Sequence, residues 1–372
     1  WPVPKAELYY GNAGTAARLL TALLALRPGG EYRLDGSPAM RKRPMQGLFE
    51  ALRRLGAAEV VAHGTPGHFP VTLRTRGFPA GRWDVDASAS SQILSALLMA
   101  APLAPGSVEV RLVGKTVSRP FVRMTLDCLA QFGQTQPMLD GNGSGPFVFS
   151  PHRYRLAGAR YEVEPDATAA SYFLALPWVC GGSLTLPGFG LVRQQGDRAF
   201  ANRMATLGLR LTAASRADVR VDAPNPSCEG GDHDFNAISD TFLTLAALSP
   251  LLSSPLTIRG IAHTRHQETD RIAAMATELR RLGQTVSETE DSLTVTPDCE
   301  AMRQRAGDGV VALDTYEDHR VAMSFAVLGC HDLRGDGSPW LALKDPGCCA
   351  KTFPDFFDRL EEVRDTATQA VF

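Results

Sequence analysis

Four helical patterns in this chain end in Leu-Gly or Phe-Gly at nearly constant spacing. ALRRLG ends at Gly56, CLAQFG at Gly133, MATLG at Gly208 and ELRRLG at Gly283, in steps of 77, 75 and 75 residues. FPDFFDRLEEV falls in phase as a fifth, with Glu361 at the glycine position. A glycine there suits a helix C-terminus, where the backbone must turn left-handed. A fixed period of this length means one supersecondary unit used repeatedly. Each period holds two helical segments. The earlier ones are GTAARLLTALLAL, SSQILSALLMAA, ATAASYFLAL, SDTFLTLAAL and DHRVAMSFAVL. They are apolar nearly all round and are expected to be buried. The later ones, such as RPMQGLFEALRRLG and ETDRIAAMATELRRLG, are amphipathic. Short runs rich in Val, Leu and Tyr alternate with them: AELYY, EVVAH, WDVDA, VEVRLV, YRLAG, LTIRG and SLTVT. The pattern predicts an α/β fold of β-α-β-α-β-β units with mixed sheets. Five units are visible, and stepping back one period from Gly56 places a further one ahead of Trp1.

The two helix starts of each unit carry the candidate chemistry. At the first start stand Thr15, Ser91, Thr168, Asp240 and His319; capping alone would account for most of these residue types. At the second stand Arg43, Arg119, Arg198, Arg271 and Lys351. A cation at a helix N-terminus opposes the helix dipole by roughly 0.3–1 kcal/mol. One such residue is noise, but five in phase break a local rule repeatedly, which marks functional positions. Their simplest use is anion binding, with guanidinium forks and helix N–H groups converging on phosphate or carboxylate. The plainer alternative is an ion pair with a neighbouring acid such as Asp197 or Asp270, expected above all for Arg198. GNAGTAAR (11–18) follows a strand and opens a helix, an anion-cradling arrangement. RHQETDR (265–271) and YEDHR (316–320) set acids beside cations, the setting in which pKa values are tuned for proton transfer. Asp240 is ionised at neutral pH and placed to act as a base.

Other classes fit less well. The formal net charge of −2 gives no cationic excess for nucleic acid. The longest apolar stretches, near Ile93–Ala104 and Phe242–Ile258, are broken by Ser and Pro and too short to span a bilayer. Seven cysteines without a CxxC pair argue against a zinc ribbon or a disulfide framework, so a reducing cytoplasm is the expected location. VGKT (113–116) lacks the first glycine of a P-loop, and His263 and His266 have no third ligand nearby.

The motifs GNAGTAAR, RKRP, VDASASSQ, VSRPF, EPDATAASYFLA, QGDRAFA, ISDTFLTLAAL, ETDRIAAMATELRRLG, YEDHRVAM and DPGCCAKTFPDFF run from residue 11 to 357. Taken together they resemble the 5-enolpyruvylshikimate-3-phosphate synthase family, the 3-phosphoshikimate 1-carboxyvinyltransferases. The resemblance implies the two-domain enolpyruvyl transferase fold of six β-α-β-α-β-β units. A first domain at residues 1–164, incomplete at its N-terminus and holding about two units, and a second at 165–372 with three are expected. The implied reaction moves the enolpyruvyl group of phosphoenolpyruvate to the 5-hydroxyl of shikimate 3-phosphate, with no metal or organic cofactor. It belongs to the shikimate pathway of aromatic amino-acid biosynthesis, in a cytoplasmic, monomeric enzyme whose lobes close over the substrates. By resemblance, Asn12, Gly14, Arg43, Gln92, Arg271, Arg320 and Lys351 surround phosphoenolpyruvate. Ser90, Ser91, Gln92, Ser118, Asp240, His263 and Gln267 hold shikimate 3-phosphate. Asp240 takes the proton from the attacking hydroxyl, Glu268 exchanges one with the methylene carbon, and His319 supports the charge network.

Departures are specific. Residues 1–10 carry no PGSKS-type motif, whose lysine contacts both substrates in the family. Phe121 stands where many members have Tyr, and His263 and Gln267 where Asn and Lys are common. The rival readings are a UDP-N-acetylglucosamine enolpyruvyl transferase and an inactive fragment that needs a separate N-terminal piece.

Overall fold

The computed structural model describes residues 3–88, 90–114, 119–134, 145–156, 158, 160–224, 229–307 and 309–369. The chain divides into two units, residues 1–162 and 163–372, each with its own apolar core.

The first repeat shows the full pattern. Strand Lys5–Tyr9 leads into helix Gly14–Leu24, strand Glu31–Asp35, helix Gln46–Arg54 and strands Ala58–Ala62 and Val71–Thr75. Lys5–Tyr9 runs parallel to Glu31–Asp35, with Lys5 opposite Glu31. Val71–Thr75 pairs antiparallel with both Glu31–Asp35 and Ala58–Ala62. The repeat at 231–296 has the same connectivity and the same strand order. A strand-helix-strand crossover followed by an antiparallel return is what β-α-β-α-β-β requires.

The remaining repeats show parts of this pattern among the described residues. Gly81–Asp86, Val108–Val113 and Phe147–Phe149 form a three-stranded sheet. Ser183–Leu186, Val219–Asp222 and Arg210–Ala213 form another, and Val311–Leu313 pairs parallel with Leu341–Leu343. The YRLAG stretch was expected to be a strand, but Tyr154, Arg155, Leu156 and Gly158 lie in none. Its polar groups are used elsewhere. The Tyr154 hydroxyl donates to the Met99 carbonyl at 2.6 Å, and Arg155 N–H to the Phe132 carbonyl at 2.8 Å. The segment is thereby tied to helix ends rather than to a sheet.

The four in-phase glycines end their helices in the same way. Gly56, Gly133, Gly208 and Gly283 have φ of 66°, 89°, 86° and 86°. In each case the next N–H donates to a carbonyl five residues back: Ala57 to Leu52, Gln134 to Leu129, Leu209 to Met204 and Gln284 to Leu279, at 2.9–3.0 Å. This is the bonding of a Schellman cap. Glu361 does not act as a fifth stop. Without a glycine to turn left-handed, the helix continues as Phe356–Gln369.

The apolar helices are the cores. Gly14–Leu24 packs on Ser91–Ala100 in the first unit, and His319–Gly329 on Phe242–Leu248 and Ala167–Cys180 in the second. Every residue of Phe242–Leu248 is buried. Each of its large apolar side chains contributes roughly 1.5–3 kcal/mol on leaving water. The first-start residues are not the caps themselves. Ser90, Asp166 and Asp318 cap, accepting from Gln92 N–H (3.2 Å), Thr168 N–H (2.8 Å) and Arg320 N–H (2.8 Å). The side chains of Ser91, Thr168 and His319, one or two residues on, are therefore not spent on capping.

Candidate active site

In the second unit the in-phase residues converge. Arg271 opens helix Arg271–Arg281 and is only 1% exposed. Its Nε donates to Asp318 Oδ2 (2.8 Å), Nη1 to Asp240 Oδ1 (3.0 Å) and Gln267 Oε1, and Nη2 to Glu268 Oε2 (2.9 Å) and Asp318 Oδ1 (3.4 Å). These bonds use all five guanidinium N–H groups. Arg320 Nη2 donates to Asp240 Oδ2 at 2.9 Å, Gln267 Nε2 to Asp240 Oδ1 at 3.4 Å, and Lys351 Nζ contacts Glu268 Oε1. Three cations thus meet three carboxylates. Asp270, the neighbouring acid that the plainer alternative offered to Arg271, binds Arg265 at 2.7 Å and caps the helix. Arg198 lies exposed in the turn Gly196–Ala199, while the Asp197 carboxylate accepts from the Thr168 hydroxyl.

The electrostatics sort these groups. Burial raises the Asp240 pKa, yet Arg320 and Arg271 outweigh it and hold the carboxyl below its usual range. Asp197 goes the other way: burial and then the Asp240 charge push it up to about 6. Burial and the neighbouring Arg320 push His319 down to about 4, so its imidazole is neutral at physiological pH. His319 is 2% exposed, and neither ring nitrogen has a hydrogen-bond partner among the described residues. Asp318 Oδ1 lies 3.8 Å from Nδ1, beyond hydrogen-bond distance. A buried polar ring without partners is costly and calls for an explanation, and a ligand is the natural one. His263 is engaged by Ser239, its Nε2 2.8 Å from Oγ. Burial lowers its pKa.

Strain accompanies the site. Tyr316 and Glu317 are successive non-glycine residues at φ 57° and 56°, immediately before Asp318 and His319. Such backbone costs of order 1–3 kcal/mol per residue and persists only where its surroundings fix it. Here the Tyr316 hydroxyl is anchored on buried Glu278 at 2.6 Å.

The first unit assembles a second constellation. The turn after strand Lys5–Tyr9 carries Asn12, and Gly14 opens the helix that follows. A Cβ on Gly14 would lie 2.7 Å from the Arg43 guanidinium carbon, so Gly14 is what lets Arg43 lie against this turn. Arg18 Nη1 donates to Gln92 Oε1 (2.8 Å), Gln92 Nε2 to Thr15 Oγ1 (3.1 Å), and Arg18 Nη2 to the Pro44 carbonyl (3.0 Å). Asn12 Oδ1 is buried with no partner among the described residues. Ser90 caps the next apolar helix and Ser91 is its buried first residue. Ser118 lies outside the described residues.

Sequence reasoning missed Arg18, Asp318 and Asp197 as individual site residues. Asp318 had a signal, a capping-type residue directly before a helix. Arg18 lay within a motif already singled out. Among the described residues, no group of three or more His, Cys, Asp or Glu side chains is placed to hold a metal ion.

The fold is that of the enolpyruvyl transferases. It matches the enolpyruvyl transferase NikO from Streptomyces tendae with a TM-score of 0.61 at 18% identity, over 93% of this chain and 75% of that one. It matches EPSP synthase from Acinetobacter baumannii with a TM-score of 0.68 at 24% identity, over 94% and 77%. The chain belongs to the EPSP synthase (3-phosphoshikimate 1-carboxyvinyltransferase) family, whose profile matches residues 1–360. A relative from Opitutus terrae named 3-phosphoshikimate 1-carboxyvinyltransferase is 50% identical over 364 residues, covering 96% of this chain and 77% of the relative.

Proposed function

We propose that this chain transfers the enolpyruvyl group of phosphoenolpyruvate to the 5-hydroxyl of shikimate 3-phosphate, giving 5-enolpyruvylshikimate 3-phosphate and phosphate. Family membership supports the reaction, and the nucleotide-sugar alternative is not favoured by the relatives' names. The observation that carries the chemistry is Asp240 held between Arg271 and Arg320, with Glu268 held between Arg271 and Lys351.

A carboxylate so strongly paired is ionised but weakly basic. An incoming anion that draws Arg320 and Arg271 toward itself raises the Asp240 pKa, which makes it a better base for the 5-hydroxyl. The hydroxyl oxygen adds to C2 of phosphoenolpyruvate as Asp240 takes its proton. Glu268, which takes up a proton from solvent as the bound anions draw Arg271 and Lys351 away from it, delivers that proton to the methylene carbon, giving a tetrahedral ketal phosphate. Glu268 then removes a methyl proton as the C–O bond to phosphate breaks. Neutral His319 donates a hydrogen bond to the charge that develops. Arg271 reaches the ligand by exchanging Gln267 for it, and Arg320 and Lys351 bind it beside Arg271. Asn12, Gly14, Arg43 and Gln92 contact phosphoenolpyruvate, and Ser90, Ser91, Ser118, His263 and Gln267 contact shikimate 3-phosphate. Monomeric action in the cytoplasm goes with this reading.

The test is phosphate release and calorimetric binding with shikimate 3-phosphate against UDP-N-acetylglucosamine, phosphoenolpyruvate present, with and without a separate N-terminal peptide. Binding and turnover with shikimate 3-phosphate, and not with the nucleotide sugar, are expected. Preference for the nucleotide sugar overturns the substrate assignment, and binding without turnover in both formats overturns the catalytic one.

A further inference from the structure

The mechanism uses none of the cysteines, and two of them meet. Cys180 ends helix Ala167–Cys180, and Cys330 caps the end of helix His319–Gly329, 150 residues further along. These helices pack on each other, and their opposite ends carry Thr168 and His319. The Cys180 thiol donates to the Cys330 carbonyl at 3.4 Å. One residue to either side, His331 Nδ1 lies 3.3 Å from the Val179 carbonyl, so the two helix ends are in register. Both thiols are free, with Cys180 exposed and Cys330 half-buried. Gly181 and Gly182 follow Cys180 at φ 76° and 75°, with nothing within 4 Å of where a Cβ would stand, so a small reagent can approach.

We propose that Cys180 and Cys330 form a reversible modification site, a dithiol that a low-molecular-weight disulfide converts to an intramolecular disulfide tying helix 167–180 to helix 319–329. Cys180 is the exposed thiol, whereas the Cys330 thiol is half-buried and donates to the Ala326 carbonyl at 3.4 Å, so Cys180 attacks first. Its thiolate attacks one sulfur of the small disulfide, whose S–S bond breaks and releases one thiolate. Cys330 loses its proton and attacks the Cys180 sulfur of the mixed disulfide, expelling the second thiolate. Two protein thiols and one small disulfide become one protein disulfide and two small thiols. The protein loses two electrons and the reagent gains them. The closed loop spans 150 residues, so the bond restrains the unfolded chain strongly.

The experiment treats the folded full chain with oxidised glutathione, blocks remaining thiols and maps peptides without reduction. A peptide linking Cys180 to Cys330 is expected, lost on adding dithiothreitol. The oxidised chain is expected to unfold about 5–10 °C above the reduced one. Cys180→Ser and Cys330→Ser are each expected to abolish both effects, with circular dichroism of the reduced variants confirming the fold. The peptide map of the unsubstituted protein decides even where a variant fails to fold. Separate glutathione adducts on the two cysteines, a link formed only after denaturation, or a link that leaves the midpoint unmoved or lower each overturns the proposal.

Discussion

Arg271 shows how a single side chain can organise a site without itself being open to a ligand. Its five N–H groups reach Asp240, Glu268, Asp318 and Gln267, so it sets the spacing of every acid proposed to move a proton. Asp240→Asn keeps the shape of one of these groups and removes its basicity. Turnover is expected to fall about 10²–10⁴-fold, with circular dichroism unchanged, in a phosphate-release assay. Near-normal turnover would remove Asp240 from the base role. Two buried groups that both feel the Arg320 charge, shifted in opposite directions, make a second prediction. His319 has a folded pKa of about 4 against an ordinary 6.5, so its contribution to stability is complete above pH 6.5 and is lost as pH falls toward 4. Asp197 is raised from 3.8 to about 6, so its contribution is complete below pH 3.8 and is lost as pH rises toward 6. Both are buried, and each term is worth at most about 3 kcal/mol. Urea unfolding across pH 4–6.5 is therefore expected to show His319→Gln gaining on the unsubstituted chain as pH falls. Asp197→Asn is expected to gain as pH rises. Slopes of the same sign for the two variants would contradict the assignment.

At the scale of elements, the left-handed glycine is the part of the fold most directly written in the chain. The Schellman cap is local, needing one glycine and carbonyls within five residues, so a spacing in the sequence shows it. The cost of losing it depends on surroundings the sequence does not show. At Gly56 a Cβ would meet nothing within 4 Å, so Gly56→Ala carries only the left-handed backbone cost, about 1–2 kcal/mol. At Gly283 the Cβ would lie 3.0–3.1 Å from Ala301, two of the three nearest atoms being backbone. Gly283→Ala is expected to destabilise by at least about 1 kcal/mol more than Gly56→Ala in urea titrations. Equal losses would mean that Ala301 yields freely. Where an element depends on distant partners, the sequence misleads. YRLAG has strand composition, but its hydroxyl and amide bond to Met99 and Phe132. Glu361 keeps the phase of the period without the residue that ends a helix.

Over the whole molecule, the repeat explains why some of the candidate site was legible and some was not. A cation returning once per period marks the same place in every unit, so Arg43, Arg271 and Lys351 stand out from the chain alone. Their partners carry no such mark. Asp318 and Asp240 lie 47 and 31 residues from Arg271, and only the packing of helices within the second unit brings them together. The cations read as an open anion-binding set; in the structure Arg271 and Lys351, together with Arg320, are already neutralised by carboxylates. A ligand must therefore offer enough negative charge, in the right places, to replace the charges it displaces. Shikimate 3-phosphate with phosphoenolpyruvate does so through a phosphate and two carboxylates beside a second phosphate, whereas a nucleotide sugar spreads its charge along a diphosphate. Ligand binding to the native state alone stabilises by about 2.7 kcal/mol at a hundred times Kd. In thermal unfolding with phosphoenolpyruvate present, shikimate 3-phosphate is expected to raise the midpoint, and UDP-N-acetylglucosamine at equal concentration to leave it in place. Because Arg271, Arg320 and Lys351 are each held by an acid, the shift is expected to shrink as salt is added, competing ions weakening the exchange of carboxylate for ligand. A salt-independent shift would show that the ligand is held by neutral hydrogen bonds and that the in-phase cations serve the fold alone.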